Sequence, residues 1–586
     1  MRWVGEMLLA VCVALLVAGC SPVSEITGSD IAGSAIAPAE LKLPPGFAAQ
    51  VIFDGTGESR EIYVRSDGDI FVSLAGLGDG PHILGLRDED GDYVVDTIEH
   101  FHHLATPEAQ RPPQVHIEYF DDHLYAVDNE QVVRMHLPRG QLRPDGKPEV
   151  IANIPYQRSH RGRTLSIDTD GWMYVNIGAP SNVCQATSRT RGSPGLDPCP
   201  QLEQHAGIWR WRNDVLDQSR EDGELWAGGI RNAIAQTWDP VYKRLFVGQM
   251  GRDRLDSLWP EYFDSEQNAE LPAEEFFAAA QGDNFGWPYC YYDQFQGRKV
   301  LAPEYGGDGK TIGRCAEFAL PQVAFPGHYS PASIAFYHDD EFPARYKGGA
   351  FVALKGSWNR APMPQDGYIV AFVPFENGAP TGDWEVFADG FKGFDTLYER
   401  GNAKYRPQSV FVHTDGSLYI LDNNEGRIWR VTYTGDVTDA PDPTLTQPAS
   451  DRDLMITASQ GPGAGMYRRY CAACHQVQGG GVPGQFPPLT DSEWVNGDKG
   501  RLIATVLHGM QGPIAVKGQR YDELMPGHAF LENEDVALLL TYLRSSFGNS
   551  AEPVHDSEVL LVRDSEQRDT PWEATELATR TGLIAR

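Results

Sequence analysis

Six copies of a strand–turn–strand pattern between residues 41 and 433 constrain the fold of this chain more than any other feature. In each copy a strand of alternating apolar residues enters a tight turn and a second strand leaves it, as at Asp170-Gly171 and Asp415-Gly416. Asp-Gly in such a setting is a strong signal for a β-hairpin. The copies occupy residues 62–72, 115–127, 165–175, 235–247, 334–352 and 409–420. They predict a six-bladed β-propeller with long insertions, and a β-sandwich with similar turns is the alternative.

A second compact feature, Cys471-Ala472-Ala473-Cys474-His475, follows the repeats. Two cysteines separated by two residues and followed at once by a histidine form the pattern that attaches a c-type haem. Cys471 and Cys474 would bond to the porphyrin vinyl groups, and His475 would bind the iron as an axial ligand. A redox disulfide is the other use of such a cysteine pair.

The residues on either side of this motif support the haem interpretation. Ala464, Tyr467 and Tyr470 predict a short helix that runs into it, and a Gly/Pro-rich loop follows at residues 479–488. A second amphipathic helix, predicted to be capped by Asn533, ends the segment. The apolar residues that this helix places on one face are Val536, Leu539, Leu540 and Leu543.

Met525 stands before a proline, fifty residues after His475 and just ahead of the closing helix. This is the position of the second axial ligand in a small class I cytochrome c, which residues 463–549 resemble. The resemblance implies a small all-α domain that carries haem c, with the iron held by His475 and a solvent-exposed Met525. The alternative is that Met525 fills the apolar core.

The N-terminus has the pattern of an export signal. Arg2 precedes an apolar run at residues 7–18, which is too short to span a membrane as a helix. The run ends in Val17-Ala18-Gly19-Cys20, which resembles a bacterial lipobox. We therefore expect Cys20 to receive lipid and become the mature N-terminus. Plain secretion is the alternative, because Glu6 offsets the charge of Arg2.

The cysteine count agrees with export. Of eight cysteines, Cys12 leaves with the signal, Cys20 carries lipid, and two hold the haem. The remaining four are Cys184, Cys199, Cys290 and Cys315. An even number in an oxidising compartment predicts two disulfides. Proximity in sequence favours Cys184–Cys199 and Cys290–Cys315, and two other pairings stay open.

A formal net charge of −32 argues against binding to nucleic acid or to anionic lipid surfaces. Such a charge suits docking to a basic redox partner. It serves equally well to keep an exported protein soluble.

Six stretches between the predicted strands carry an unusual content of Arg, His, Asn, Trp and Gly. They are residues 159–165, 229–232, 249–253, 284–288, 353–360 and 405–407. Their content and order resemble the quinoprotein sugar dehydrogenases, in particular the sorbosone dehydrogenase-like branch of the six-bladed propeller family that includes soluble glucose dehydrogenase. The resemblance runs through residues 41–433, starting at Leu43-Pro44-Pro45-Gly46-Phe47. It implies pyrroloquinoline quinone (PQQ) and calcium as cofactors.

Carried over by position, the resemblance makes His160 the general base that takes the proton of the substrate hydroxyl while hydride passes to the quinone. The pKa of an ordinary histidine lies near working pH, which suits that task. Arg231 would stabilise the oxyanion that develops on the quinone, and Asn232 would help to hold the cofactor. Ser159 stands where the glucose-oxidising branch has an orienting acid, so the partner that orients His160 is unassigned.

The same carry-over assigns the remaining contacts of the cofactors. Lys355 and Arg406 would pair with PQQ carboxylates. The backbone carbonyls of Gly251 and Arg252 would coordinate calcium, a hard ion that prefers oxygen ligands. Each of these side chains has an ordinary structural use as well, in a turn, at a strand end or between blades. Gln114 aligns loosely with a cofactor-facing glutamine.

A chain of 586 residues is too long for one ordinary domain, and a propeller followed by a cytochrome accounts for its length. The predicted order is signal peptide 1–19, tether 20–40, propeller 41–434, linker 435–455, cytochrome c domain 456–549 and tail 550–586. The tail is charged and shows no pattern, which suits a surface-wrapping or a disordered segment.

The combined features predict a quinohaemoprotein dehydrogenase that is anchored at the periplasmic face of a bacterial membrane. It would oxidise an aldose, sugar aldehyde or polyol at PQQ and pass electrons through its own haem to a redox protein or quinone of the respiratory chain. Two alternatives are a lactonase-like propeller and a sugar- or polymer-binding propeller, each joined to an electron-carrier cytochrome.

Overall fold

The structure is a computed structural model, and the part of it described here has gaps. It comprises residues 41–75, 81–103, 114–157, 159–360, 363–381, 384–394, 396–397, 402–435, 462–471, 475, 479–481, 486–522, 525, 527–529, 531–566, 568 and 570–579. The predicted signal and tether, most of the predicted linker, and Cys474 lie outside these residues.

Six four-stranded antiparallel sheets make up the N-terminal part, and we number them as blades in chain order. Blade 1 has strands Ser59–Val64, Ile70–Leu74, Ile83–Arg87 and Thr97–Phe101; blade 2 has His116–Phe120, His123–Val127, Gln131–His136 and Asp145–Asn153; blade 3 has Leu165–Ile167, Trp172–Ile177, Gly207–Arg212 and Glu224–Gly228. Blade 4 has Ala235–Asp239, Arg244–Gln249, Glu274–Ala279 and Val323–Phe325; blade 5 has Pro331–Phe336, Ala350–Lys355, Tyr368–Val373 and Glu385–Ala388; blade 6 has Pro407–Val412, Leu418–Asp422, Ile428–Tyr433 and Phe47–Phe53. Each predicted hairpin supplies the first two strands of one blade, so the six-bladed propeller is confirmed and the β-sandwich is wrong.

The first strands of the six blades contact one another in a closed ring. The ring is closed by the strand Phe47–Phe53, which pairs with Ile428–Tyr433 as the outer strand of blade 6. The phenyl side chain of Phe47 packs edge-on against the aromatic side chains of Phe342, Phe387 and Tyr433, with centroid distances of 4.8 to 5.0 Å. The first strand of the propeller therefore fastens its last blade, and the sheets are left with only short outer edges.

The insertions between strands carry short elements and both disulfides. They contain the helices Leu255–Leu258 and Ser265–Glu270, the hairpin of Cys290–Asp293 with Arg298–Leu301, the hairpin of Phe375–Glu376 with Ala379–Pro380, and the 3-10 turns Pro200–Glu203, Arg220–Asp222, Pro303–Tyr305, Gly313–Glu317 and Ala344–Tyr346. Disulfides join Cys184 to Cys199 and Cys290 to Cys315. The pairing favoured by proximity is confirmed, and the two other pairings are wrong.

The C-terminal part contains five helices among the residues that the structure describes: Pro462–Tyr470, Lys499–His508, Asn533–Ser545, Asp556–Ser565 and Ala574–Thr579. The predicted helix before the haem motif is confirmed, and the predicted apolar face of Asn533–Ser545 is buried. The predicted cap is wrong, because Glu532 takes the N-cap position and Asn533 is the first helical residue. The side chain of Asn533 accepts a hydrogen bond from Nε of Arg563 (2.8 Å). In the described stretches of the chain no helix combines the length and the apolar character needed to cross a membrane.

The described part of the tail, residues 550–566, 568 and 570–579, is structured. The strand Trp572–Glu573 pairs in parallel with Met510–Gln511, and a short hairpin of Ile514–Val516 with Gln519–Tyr521 follows that strand in sequence. Val559 and Trp572 are fully buried in the same apolar cluster as the helix Asn533–Ser545. Disorder of this part of the tail is therefore wrong, because its apolar residues complete the core of the C-terminal part.

Trp572→Ala tests this packing. We expect a loss of about 3–5 kcal/mol in the stability of the C-terminal part, because the indole is fully buried and a cavity would replace it. Chemical denaturation followed at the haem absorbance measures the change. Leu560→Ala is the matched control, since Leu560 lies on the helix Asp556–Ser565 with 46% of its surface exposed, and should change stability by less than about 0.5 kcal/mol. Equal stability of Trp572→Ala and the wild type would contradict the packing described here.

Candidate functional site

The blade topology places most of the predicted site loops on one face of the propeller. Residues 159–165, 229–232 and 405–407 lead into the first strands of blades 3, 4 and 6, whereas 249–253 and 353–360 follow the second strands of blades 4 and 5. In an antiparallel pair, the start of one strand and the end of its partner lie at the same edge. The loops therefore meet around the axis at one end of the ring.

His160 is held by hydrogen bonds from both sides. Its Nδ1 lies 2.7 Å from the carbonyl oxygen of Ala179, and because a carbonyl only accepts, Nδ1 carries the hydrogen. The Nε2 lone pair is thereby left to act as an acceptor. Gln157 fixes the loop by donating from Nε2 to the carbonyls of Ser159 (2.8 Å) and His160 (2.7 Å). The orienting partner of His160, which the sequence did not identify, is a backbone carbonyl.

The ionisation of His160 differs from the expectation. Burial, and next to it the positive charge of Arg231, lower the pKa of His160 to about 3, although the carbonyl of Ala179 opposes this. The expectation of a pKa near working pH is therefore wrong for this pocket. Because the pKa is depressed, the neutral imidazole predominates throughout the neutral pH range.

Arg231 lies beside His160 in a buried network. The carbonyl of Arg231 accepts from the backbone N–H of Ala179 (2.7 Å), the residue whose carbonyl orients His160. The guanidinium is 4% exposed, and its Nη2 donates to Asp253 Oδ2 (2.9 Å) and Asn182 Oδ1 (3.0 Å). Burial opposes ionisation of Asp253, but Arg231 together with His328, His160 and Arg189 outweighs it, so the pKa of Asp253 lies below its usual value. Asn182 and Asp253 were missed by sequence reasoning, and no local pattern marks them.

Asn232 presents a buried acceptor that no described protein group satisfies. Its side chain is 7% exposed, and its Oδ1 is buried with no hydrogen-bond partner among the described residues. A Cβ atom added at Gly178 would lie 3.2 Å from that oxygen and 2.9 Å from the Cβ of His160. The glycine therefore keeps His160 and Asn232 close together. A buried, unsatisfied oxygen at this place fits a ligand that donates a hydrogen bond.

In the loop of Gly251 and Arg252, the backbone N–H of Gly251 and the Nη1 and Nη2 groups of Arg252 have protein partners, and the backbone carbonyls are the groups assigned to calcium. The side chain of Arg252 is turned to Glu304, to which it donates two hydrogen bonds (2.5 and 3.0 Å). The backbone N–H of Gly251 donates to Glu274 Oε2 at 2.7 Å. Burial raises the pKa of Glu274 to about 8, so a nearby cation would favour its charged form. Carbonyl and carboxylate oxygens are the ligands that calcium prefers, so this donor set fits the ion.

Lys355 and Arg406 lie together where blades 5 and 6 meet. Arg406 is 4% exposed, and it donates from Nε to the carbonyl of Lys355 (3.0 Å) and from Nη2 to that of Gly356 (3.3 Å). Asn359, on the same loop as Lys355, donates from Nδ2 to Asp253 Oδ1 at 2.9 Å. Asp253 thus links the loop of Arg231 to the loop that carries Lys355 and Asn359. Lys355 and Arg406 are cations of the kind that bind carboxylates.

The haem region shows the hydrogen bond expected for an axial histidine. His475 is 9% exposed, and its Nδ1 lies 2.9 Å from the carbonyl oxygen of Pro487, which leaves Nε2 for the iron. Cys471 is partly buried, and Cys474 lies outside the described residues. Met525 is partly buried and not solvent-exposed as predicted. Its backbone exchanges two hydrogen bonds with that of Met510 (3.0 and 2.9 Å), so both thioethers leave the same side of this pairing.

The family comparisons agree with the two parts of the chain. The model described as TrAA12-like matches residues 41–434, and the model described as cytochrome c matches residues 461–547. The chain belongs to the TrAA12-like family. It is a TrAA12-like propeller joined to a C-terminal cytochrome c domain, as the resemblance of the sequence predicted.

Two solved structures share the propeller fold. The calcium structure of Trichoderma reesei carbohydrate-active enzyme family AA12 has a TM-score of 0.54 and 17% identity, covering 68% of this chain and 98% of that one. The holo form of the pyranose dehydrogenase PQQ domain from Coprinopsis cinerea has a TM-score of 0.52 and 17% identity, covering 67% and 97%. Cytochrome c-552 of Thermus thermophilus is 38% identical over 99 residues, which are 16% of this TrAA12-like chain and 66% of the cytochrome.

A double-mutant cycle tests the buried pair of Arg231 and Asp253. Asp253→Asn should destabilise the apoprotein by about 3–5 kcal/mol, because it leaves a buried guanidinium without its counter-charge. The loss should be much smaller when Arg231→Met is already present. Chemical denaturation of the propeller measures the coupling. The solvent-screened surface pair Arg212 and Asp214 is the control, and its coupling should be far smaller than that of the buried pair. Additive effects at the buried pair would contradict the network.

Proposed function

We propose that this protein is an exported, lipid-anchored quinohaemoprotein dehydrogenase that oxidises an aldose, sugar aldehyde or polyol at PQQ and passes the electrons through its own haem c to a respiratory acceptor. The observation that carries the proposal is a neutral His160, with Nε2 left as an acceptor, beside a buried Arg231 in a TrAA12-like propeller that continues into a cytochrome c domain. Redox chemistry explains that fusion, whereas a hydrolase or a binding propeller does not.

The residues around the funnel suit PQQ. When bound, PQQ supplies a quinone that accepts two electrons as a hydride. Lys355 and Arg406 would hold its carboxylates, and Asn232 would accept a hydrogen bond through its unsatisfied Oδ1. Arg231 would lie against the quinone oxygen on which negative charge develops. The carbonyls of Gly251 and Arg252, with Glu274 nearby, would hold calcium. The Coprinopsis cinerea relative is described as a PQQ domain, and the Trichoderma reesei structure as a calcium structure.

His160 would take the hydroxyl proton of the substrate at Nε2. The carbonyl of Ala179, 2.7 Å from Nδ1, keeps the ring in the tautomer that this step needs and stabilises the imidazolium that forms. Burial and Arg231 both disfavour that imidazolium, so the proton would be passed on quickly after each turnover. His160 would thus take one proton from the substrate and release it in each oxidation.

The segments outside the propeller would provide export and electron transfer. Signal 1–19, tether 20–40 and lipid at Cys20 would place the protein at the periplasmic face of a membrane. Propeller 41–434 and a cytochrome domain that starts at 456 would be joined by linker 435–455. A cytochrome tethered in this way receives electrons at high effective concentration. A respiratory redox protein or quinone would be the partner, since the domain carries haem.

His160→Ala tests the base assignment. After loading with PQQ and calcium, the variant should reduce its haem with substrate on the order of a hundredfold or more slowly than the wild type, the usual effect of losing a general base. Stopped-flow traces of the quinone and haem bands measure both steps. Dithionite should reduce the haem of the variant at the wild-type rate.

His136→Ala is the matched control, because His136 is an exposed histidine of blade 2 and should leave every rate unchanged. Wild-type haem reduction by substrate in a fully loaded His160→Ala protein would refute the assignment. Failure of the wild-type protein to develop a quinone absorbance with PQQ and calcium would refute the proposed function itself.

Met525→Ala tests the second axial ligand. Loss of the thioether should lower the reduction potential while the haem stays covalently attached, because methionine ligation raises the potential. Redox titration and the methionine-to-iron charge-transfer band give the readout. Met466→Ala is the control, since Met466 packs on the same core and should change neither. If the reduction potential falls in Met510→Ala and not in Met525→Ala, then Met510 is the axial ligand and the assignment of Met525 is wrong.

A further inference from the structure

Arg60 is a buried cation to which the described part of the chain supplies no ion-pair partner. It lies on the first strand of blade 1, Ser59–Val64, and is 8% exposed. Its Nε is buried without a hydrogen-bond partner, and among the described residues no carboxylate forms an ion pair with its guanidinium. The adjacent Glu61 is engaged elsewhere, with Oε2 3.1 Å from Nε2 of His116 and Oε1 accepting from Ser409. The acid next to Arg60 therefore does not satisfy it.

An unpaired guanidinium in this position is unfavourable. Burial lowers the pKa of Arg60 to about 10, with Glu61 opposing and the like charge of Arg161 adding to the effect. Buried arginines normally form ion pairs or several hydrogen bonds. Arg231 and Arg406 follow that rule, since each donates at least two hydrogen bonds to the protein. Arg60 differs from them, and a bound anion would account for the difference.

Arg60 lies against the loop of the proposed base. A Cβ atom added at Gly162, two residues after His160, would lie 2.7 Å from Nη2 of Arg60 and 3.0 Å from Oε1 of Gln114. Gly162 therefore leaves the space that lets the guanidinium approach this loop. On its other side, Ser59 donates to the carbonyl of Asp422, whose carboxylate accepts from the backbone N–H of Arg406. Arg60 thus lies against the base loop, and its neighbour Ser59 is linked through Asp422 to the backbone of Arg406.

The surrounding charge is positive although the protein is strongly acidic. Arg161 acts on Arg60, while Arg231 and Arg189 act on His160, and each of these is a cation. The chain as a whole carries a net charge of −32. Four cations, of which Arg60 and Arg231 are buried, act here against the two acids Glu61 and Asp253, and such a local excess of positive charge attracts anions into the funnel. A carboxylate suits the planar guanidinium in particular, because it accepts two parallel hydrogen bonds.

We propose that Arg60 binds a carboxylate in the funnel beside His160. This inference rests on the proposed function, which offers two sources of that group: PQQ and an acidic sugar such as a uronate. Gln114, which faces the same gap at Gly162, would add a hydrogen bond to the same ligand. The experiments below separate the two sources.

The stability of the apoprotein distinguishes a binding role from a structural one. Arg60→Met removes a buried charge that no described carboxylate pairs with, so the melting temperature should stay the same or rise. Arg163→Met is the matched control: Arg163 is fully buried, but its Nη2 donates to the carbonyl of Pro155 (2.7 Å) and to Asn129 Oδ1 (3.3 Å), so its loss should lower the melting temperature. A fall in Arg60→Met as large as that in Arg163→Met would make Arg60 structural and overturn the proposal.

Binding measurements then identify the carboxylate. If it belongs to the cofactor, PQQ titrated into calcium-saturated apoprotein should bind on the order of tenfold to a hundredfold more weakly to Arg60→Met, and Arg60→Lys should recover part of the loss. If it belongs to the substrate, PQQ affinity should not change. The rise in melting temperature that glucuronate causes should then shrink in Arg60→Met, while the rise that glucose causes stays the same.

Unchanged binding of both PQQ and glucuronate in Arg60→Met would overturn the proposal. Wild-type protein in the same titration keeps this outcome apart from failure of the proposed function. If the wild type binds no PQQ, the proposed function fails, and the comparison of glucuronate with glucose still tests Arg60 on the apoprotein.

Discussion

The pairing of Phe47–Phe53 with Ile428–Tyr433 closes the ring of six blades, and the position of every loop around the funnel depends on that closure. The pairing joins residues almost four hundred positions apart, and Phe47 secures it by packing on aromatic rings of blades 5 and 6. Once the ring is closed, loops from distant parts of the chain face one another. Contacts such as that of Asn359 with Asp253 exist only because the first strands meet around one axis.

Burial of charged groups in the funnel sets the chemistry of the site. The same low dielectric that holds His160 neutral makes the pair of Arg231 and Asp253 strong, because charges attract more when water is excluded. It also makes an unpaired group such as Arg60 unfavourable. The paired groups form a fixed framework, and Nε of Arg60 and Oδ1 of Asn232 are among the buried atoms that no described protein group satisfies, as the proposed ligand site requires.

The C-terminal part depends on a different constraint, the short pairing of Met510 with Met525. This pairing lies next to the strand Trp572–Glu573, so the tail supports the segment that carries the proposed iron ligand. The axial histidine is held separately by the carbonyl of Pro487. The two proposed ligands are thus fixed by backbone groups from different parts of the domain, which keeps their geometry independent of exposed side chains.

The sequence by itself determined the six hairpins, the haem motif and the apolar face of Asn533–Ser545, because each is written in local spacing and periodicity, and it favoured the disulfide pairing that the structure then decided. Only the tertiary structure decided which groups form hydrogen bonds and ion pairs with the site residues. The carbonyl of Ala179 that orients His160, the roles of Asn182 and Asp253, the exchange of Glu532 for Asn533 as helix cap, and the isolation of Arg60 have no local signal. Each results from groups far apart in sequence that share one buried volume, where the energy of a charge or hydrogen bond is set by what the fold brings beside it.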